Sequence, residues 1–252
     1  MPIMHRDGTT ISYEVSGAGY PLVLFAPGGM NSVARLWGEN HQAPGQPMPW
    51  FDPTTELSDD FRVVAMDQRN AGDSSGPIQA EDGWATYTSD HLALLGELNI
   101  NRTHAMGGCI GSSYSLGLVQ AAPERVSAAV LQNPIGLTAD NRPSFMGMFD
   151  SWATALKGRR EDVTDEALSA FRQRMYGGDF VFSVDRDFVA HCPVPLLVLA
   201  GNDVFHPRAV AEEIADLAPS AELIIDWAGP ERHASTRDRV REFLLSHTPA
   251  GA

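Results

Sequence analysis

Residues 107–111 read Gly-Gly-Cys-Ile-Gly, between the run 102–106 and a helical pattern that begins at Ile110. A G-x-C-x-G pentad between a strand and a helix predicts one very sharp turn. A side chain presented on such a turn has strained backbone angles, and the glycines around it let strand and helix close together. The turn also puts Cys109 at a helix start, where unpaired N–H groups favour a thiolate. Few folds contain such a junction, so this pentad constrains the chain more than its composition does.

The chain has 252 residues, a length that suits one large α/β domain. Its hydrophobic fraction of 43% is ample for a buried core. A formal net charge of -14 argues against nucleic acid, whose binding requires basic clusters, and against an acidic membrane surface. Two cysteines, Cys109 and Cys192, make no disulfide framework, and Cys192 reads as structural. The N-terminus shows no signal-peptide pattern and no apolar stretch approaches a membrane span, so a cytoplasmic location is expected.

Continuous apolar runs at 21–26, 61–66, 126–132, 195–200 and 222–227 read as strands covered on both faces. Residues 9–15 alternate and follow the turn Asp7-Gly8. Helical patterns occupy 84–98, 110–122, 208–217 and 236–245. A further helix from Asn31-Ser32 through Trp37 is expected after the glycine turn at 27–30, and residues 39–57 read as a loop. The alternation predicts an α/β fold with a doubly wound, mostly parallel sheet of about eight strands. Residues 135–193 interrupt it with helical patterns at 143–157 and 165–175, which predicts a small helical cap over the carboxyl ends of the strands. The expected organisation is a core of 1–134 and 194–252 with a cap of 135–193.

Four motifs in order resemble the α/β-hydrolase superfamily. They are Pro27-Gly28-Gly29 after an early strand, the segment Asp67-Gln68-Arg69-Asn70-Ala71-Gly72-Asp73-Ser74, the pentad around Cys109, and Gly201-Asn202-Asp203-Val204-Phe205-His206-Pro207. The chain departs from the family at Pro27 (usually His), Asn70 (usually Gly) and Cys109 (usually Ser). Cysteine there is similar to the dienelactone hydrolases, while the rest resembles the capped, haloperoxidase-like and C–C-hydrolase-like members. The resemblance implies a triad of nucleophile, acid and histidine in chain order, which Cys109, Asp203 and His233 supply. The backbone N–H groups of Ile110 and Gly29 would form the oxyanion hole, with Met30 as the alternative to Gly29.

Other residues receive quieter readings. His206 caps a helix or lines the pocket, and Asp67 and Arg69 form a structural pair behind the site. Asp226 is the alternative acid. Met30, Phe149 and Trp152 are taken as substrate-binding residues; Met146, Met148, Phe149, Trp152, Met175, Phe180 and Phe182 are mostly core by default, with some of them facing an apolar pocket.

These readings imply hydrolysis of small carboxylic esters or lactones through a thioester, with a small-molecule substrate and no cofactor or metal. The alternatives are acyl transfer or thioester cleavage by the same triad, C–C bond hydrolysis, and ligand binding by a relic site. A homodimer is compatible with the sequence.

Overall fold

The computed structural model describes residues 1–40, 43, 45–46 and 48–251. Positions 41, 42, 44 and 47 of the expected 39–57 loop lie outside them. Strands β1 (Ile3–Arg6) and β2 (Thr9–Ser16) form an antiparallel hairpin around Asp7-Gly8. β2 also pairs antiparallel with β4 (Phe61–Met66), next to which β3 (Tyr20–Phe25) runs parallel. β5 (Thr103–Gly108), β6 (Val126–Gln132), β7 (Leu196–Leu199) and β8 (Ala221–Ile224) continue the parallel part. The sheet has eight strands in the order β1-β2-β4-β3-β5-β6-β7-β8.

Every residue of β5 and β6 is buried, the polar Thr103, His104, Ser127 and Gln132 included, as expected of strands covered on both faces. Successive side chains of β3 serve the two faces: Val23 and Phe25 join one core cluster, Leu22 and Leu24 the other. The chain leaves β3 for β4 on one side and comes back to β5 on the other. Loops after β3 and β5 therefore diverge and open a crevice at the carboxyl edge of the sheet, the usual ligand position in such folds.

The helices are α1 (Pro53–Glu56), α2 (Trp84–Glu97), α3 (Ile110–Ala121), α4 (Arg142–Lys157), α5 (Asp165–Tyr176), α6 (Arg186–Ala190), α7 (Arg208–Leu217) and α8 (His233–Ser246). α4, α5 and α6 lie between β6 and β7, and α4 packs on the glycine turn after β3. Thr164 caps α5 by accepting from Ala167 N–H, with Asp165 and Glu166 in the first turn and Arg174 in the last, all matched to the helix dipole. Among the described residues, no helix is long and apolar enough to cross a membrane.

Several elements differ from the sequence reading. β1 appears as an additional edge strand. The expected helix from Asn31-Ser32 is two 3-10 turns, Gly29–Asn31 and Ala34–Trp37, because the Ser32 hydroxyl donates back to Ala26 O at 2.6 Å instead of capping forward. β8 stops at Ile224, and the Trp227 indole turns inward to donate to Ala200 O at 2.7 Å. α8 starts three residues earlier than its apolar pattern, so His233 is helical and not in a loop.

Close packing of α3 on the sheet depends on Gly111. A Cβ there would lie 1.9 Å from Phe25 O, a backbone atom fixed in β3. Gly96 on α2 is the opposite case, with open space around it. Gly111→Ala should destabilise the protein by about 3 kcal/mol or more, the upper end of overpacking costs. Gly96→Ala should stabilise it by about 0.4–1 kcal/mol. Denaturant titration of both variants checks the contrast.

Candidate active site

Cys109 stands between β5 and α3 at φ 57 and ψ -121, a left-handed conformation that is strained for a residue with a side chain. Its neighbours hold it there. The Cys109 N–H donates to Gln132 O at 2.9 Å, and the Ser112 hydroxyl lies 2.9 Å from Gly107 O. Gly107 must lack a side chain, since its Cβ would sit 2.0 Å from Gly111 O. The sulfur is thereby presented into the crevice at the first turn of α3.

The loop after β7 supplies the other two groups. Asp203 Oδ1 accepts from the N–H of Phe205 at 2.8 Å and of His206 at 3.0 Å, curling the loop back on itself. The curl brings His206 Nδ1 within 2.9 and 2.8 Å of the two carboxylate oxygens, so Nδ1 is the donor. Gly201 makes room: a Cβ there would lie 2.3 Å from His206 Cβ. Asn141 braces the loop from the α4 side, donating to Val204 O at 2.8 Å and Gly136 O at 2.9 Å. His206 Nε2 is buried, and the ring acts on Cys109 through charge and hydrogen bonding.

The charges reinforce one another. Burial opposes ionisation of Cys109, yet its pKa falls below the ordinary thiol value. The lowering comes from the charge and hydrogen-bonding of His206, then from the backbone N–H groups of Gly28 and Ile110. Burial likewise opposes charge on His206, but Cys109 and Asp203 outweigh it and raise its pKa to about 10. The hydrogen bond from His206 leads the causes that hold Asp203 at about 2. Such an arrangement favours a thiolate–imidazolium pair at neutral pH, an activated nucleophile with a proton beside it.

Cys109 and Asp203 thus come together as the sequence suggests, but the imidazole between them is His206, not His233. His233 is the first residue of α8, and its Nε2 donates to Met48 O at 3.0 Å. The physical reason is the closed Asp203 loop, whose carboxylate is engaged by His206 three residues on. The signal in the sequence is the short spacing Gly201-x-Asp203-x-x-His206, which is equally compatible with a helix cap or a pocket-lining residue.

Ile110 and Gly28 supply the N–H groups acting on the sulfur. Gly29 has φ 59 and lies under α4, where a Cβ would meet Met148 Sδ at 2.7 Å. Met30 is buried in the core. Phe149 and Trp152 are buried on α4 with their rings 5.3 and 6.0 Å from Phe171, which makes them first of all packing residues. Asp67 and Arg69 do not pair. Asp67 accepts from the N–H of Ala34 and Asp73, while Arg69 forms a two-pronged ion pair with Asp90 of α2 at 2.7 and 2.8 Å. Asp226 is exposed and bound to Arg232. Cys192 is buried, and burial raises its pKa. Among the described residues, no group of three or more His, Cys, Asp or Glu is arranged to hold a metal ion.

Comparison with known proteins agrees with this architecture. Residues 21–182 match the alpha/beta hydrolase fold family, and the chain belongs to it. It is 31% identical over 227 residues to a Klebsiella pneumoniae (strain 342) protein named carbamate hydrolase RutD, covering 77% of this chain and 84% of that one. It is 27% identical to the dihydrolipoyllysine-residue acetyltransferase component of the acetoin cleaving system of Pseudomonas putida, over 93% of this chain and 65% of that protein. The chain thus spans less than two thirds of that relative, and 32% of a RutD protein from Agrobacterium fabrum. The structure of Est816, described as an N-acyl homoserine lactone degrading enzyme, shares the fold with a TM-score of 0.66 at 20% identity, over 98% of this chain and 100% of that one.

The coupled pair has a pH signature. Alkylation of Cys109 by iodoacetamide should stay fast as pH falls below the ordinary thiol range, and fade only below its lowered pKa. Cys192, with its raised pKa, should react far more slowly throughout. His206→Gln removes the cation and should move the Cys109 profile to higher pH, whereas His233→Gln should leave it in place. Peptide-resolved mass spectrometry across pH reads all three.

Proposed function

We propose that the protein hydrolyses small carboxylic esters or lactones through a thioester on Cys109. The observation that carries this reading is His206 held between the Cys109 thiol and the Asp203 carboxylate. The thiolate adds to the scissile carbonyl carbon, and the resulting oxyanion is met by the Ile110 N–H with that of the glycine turn. As the intermediate collapses, the bond to the alkoxide breaks and His206 Nε2 gives it a proton, leaving a thioester and a neutral imidazole. His206 then takes a proton from water, hydroxide adds to the thioester carbonyl, and the thiolate leaves. Asp203 fixes the imidazole orientation and stabilises its cationic form.

Relatives named as a carbamate hydrolase and a lactone-degrading enzyme support acyl-group hydrolysis. A thiolate also suits activated esters and lactones better than amides, because it is itself a good leaving group. In this reading residues 135–193 are the cap over the crevice, under which the acyl group is held. Acyl transfer is the second reading, favoured by the likeness to the acetyltransferase component and by the burial of His206. An added amine or thiol that captures most of the acyl group at low concentration would favour transfer over hydrolysis.

Incubation with activated esters should add one acyl mass to Cys109 and none to Cys192. His206→Ala should lower turnover by about 10²–10⁴-fold, the usual worth of a general acid–base. His233→Ala should leave it within about threefold. Cys109→Ser should fold normally and lose most activity, since a hydroxyl is not ionised before attack. Intact-mass spectrometry and steady-state rates at equal folded concentration test the set, and normal turnover in His206→Ala would overturn the reading.

A further inference from the structure

Asparagine is among the best helix N-caps, because its side-chain oxygen can accept from the first free N–H groups of the helix. Asn141 occupies that position before α4 but makes no such bond. Its Oδ1 accepts from the Thr138 N–H at 2.9 Å, and its Nδ2 donates to Gly136 O at 2.9 Å and to Val204 O at 2.8 Å. The residue is 3% exposed, so these bonds are made away from water. α4 goes without a side-chain cap, and the amide instead joins two segments 63 residues apart.

The bond to Val204 matters because the contacts within the Asp203–His206 loop fix its shape and not its place. Asp203 accepts from the N–H groups of Phe205 and His206 and from the imidazole Nδ1, while its own N–H donates to His206 O at 3.3 Å. All of these bonds would survive if the loop moved as a unit. Its ends are held by β7 and α7, but the Val204 side chain between them is 50% exposed and offers little packing. Two contacts reach outward to the segment around α4: the Val204 carbonyl to Asn141, and the Phe205 ring to Phe145 at 5.3 Å. Ring pairs form over a range of about 4.5–7 Å between centroids. A hydrogen bond confines its two atoms to about 2.7–3.2 Å. The amide is therefore the stricter constraint on where the loop sits.

We propose that Asn141 is a positioning residue for His206, acting through the Val204 carbonyl to set where the imidazole stands relative to Cys109. This inference rests on the pairing of Cys109 with His206 in the acyl-enzyme reading, and specifies what keeps the pair in register. The charged groups acting on His206 are Cys109 and Asp203. Asn141 is neutral, so exchanging it for another neutral residue alters the geometry of the pair without altering the charges around it.

Asn141→Ser is the decisive variant. Serine is an equally good N-cap, so a role confined to α4 would survive the change. Its shorter side chain cannot span from Thr138 to Val204. Iodoacetamide alkylation of Cys109 is followed across pH in wild type, Asn141→Ser, His206→Gln and the double variant, with denaturant midpoints as the check on folding. Asn141→Ser should move the Cys109 profile to higher pH by about half a unit or more, in the direction of His206→Gln. In the His206→Gln background it should add nothing. With p-nitrophenyl acetate its kcat should fall by roughly tenfold to 10²-fold, as expected of a misplacement of about 1 Å, with KM within about threefold. Asn141→Ala takes its place should Asn141→Ser fail to fold. An unchanged profile in Asn141→Ser while His206→Gln shifts, or an equal shift in the double variant, would overturn the positioning role alone. An unchanged profile in His206→Gln would overturn the pairing and this inference with it. If wild type does not cleave p-nitrophenyl acetate, the alkylation profiles by themselves decide.

Discussion

The close approach of α3 to β3, with no room for a side chain at Gly111, is the constraint from which the site follows. It lets β5 end in a turn tight enough to force Cys109 to φ 57, and that turn decides where the sulfur points. Strain of this kind costs about 1–3 kcal/mol and persists only where surroundings over-determine it. Here the Cys109 N–H is bonded to the end of β6, Gly107 is wedged under Gly111, and β5 and β6 are buried along their whole length. The stability of the central sheet therefore maintains a local conformation that an isolated chain would abandon.

Placing Asp203 and His206 on a single loop has a mechanical consequence. Asp203 and His206 are fixed by one curl, through two backbone N–H donors and the imidazole, so their mutual geometry depends on no contact between distant elements. What must be aligned across the crevice is a single pair, His206 against Cys109. Asn141 and the edge-to-face contact of Phe205 with Phe145 at 5.3 Å set that alignment by anchoring the loop to the segment around α4. The segment around α4 thus positions His206.

The buried polar groups fall into two kinds. Arg69 with Asp90, and His91 with Gln68 at 2.8 Å, are paired and structural. Burial drives the His91 pKa down to about 3, so it stays neutral within the core. Other buried polar atoms have no partner within the fold, the hydroxyl of Tyr176 among them.

Periodicity, apolar runs and local turn chemistry were readable from the residues alone. β4, β6 and α7 have the same bounds in sequence and structure, since an apolar run or a 3.6-residue pattern reflects backbone geometry directly. The glycines around Cys109 likewise announced a sharp turn, because only a side-chain-free backbone fits there. Sequence could not tell which histidine faces the sulfur. His206 and His233 both follow Asp203 in order, and the choice rests on distance between loops from separate strands. Arg69 similarly found its partner in Asp90 on another helix, not in nearby Asp67. Which N–H groups reach the thiol, and which aromatic hydroxyls are left without partners, were decided by tertiary packing. Contacts between residues far apart in the chain leave no local pattern by which a sequence could declare them.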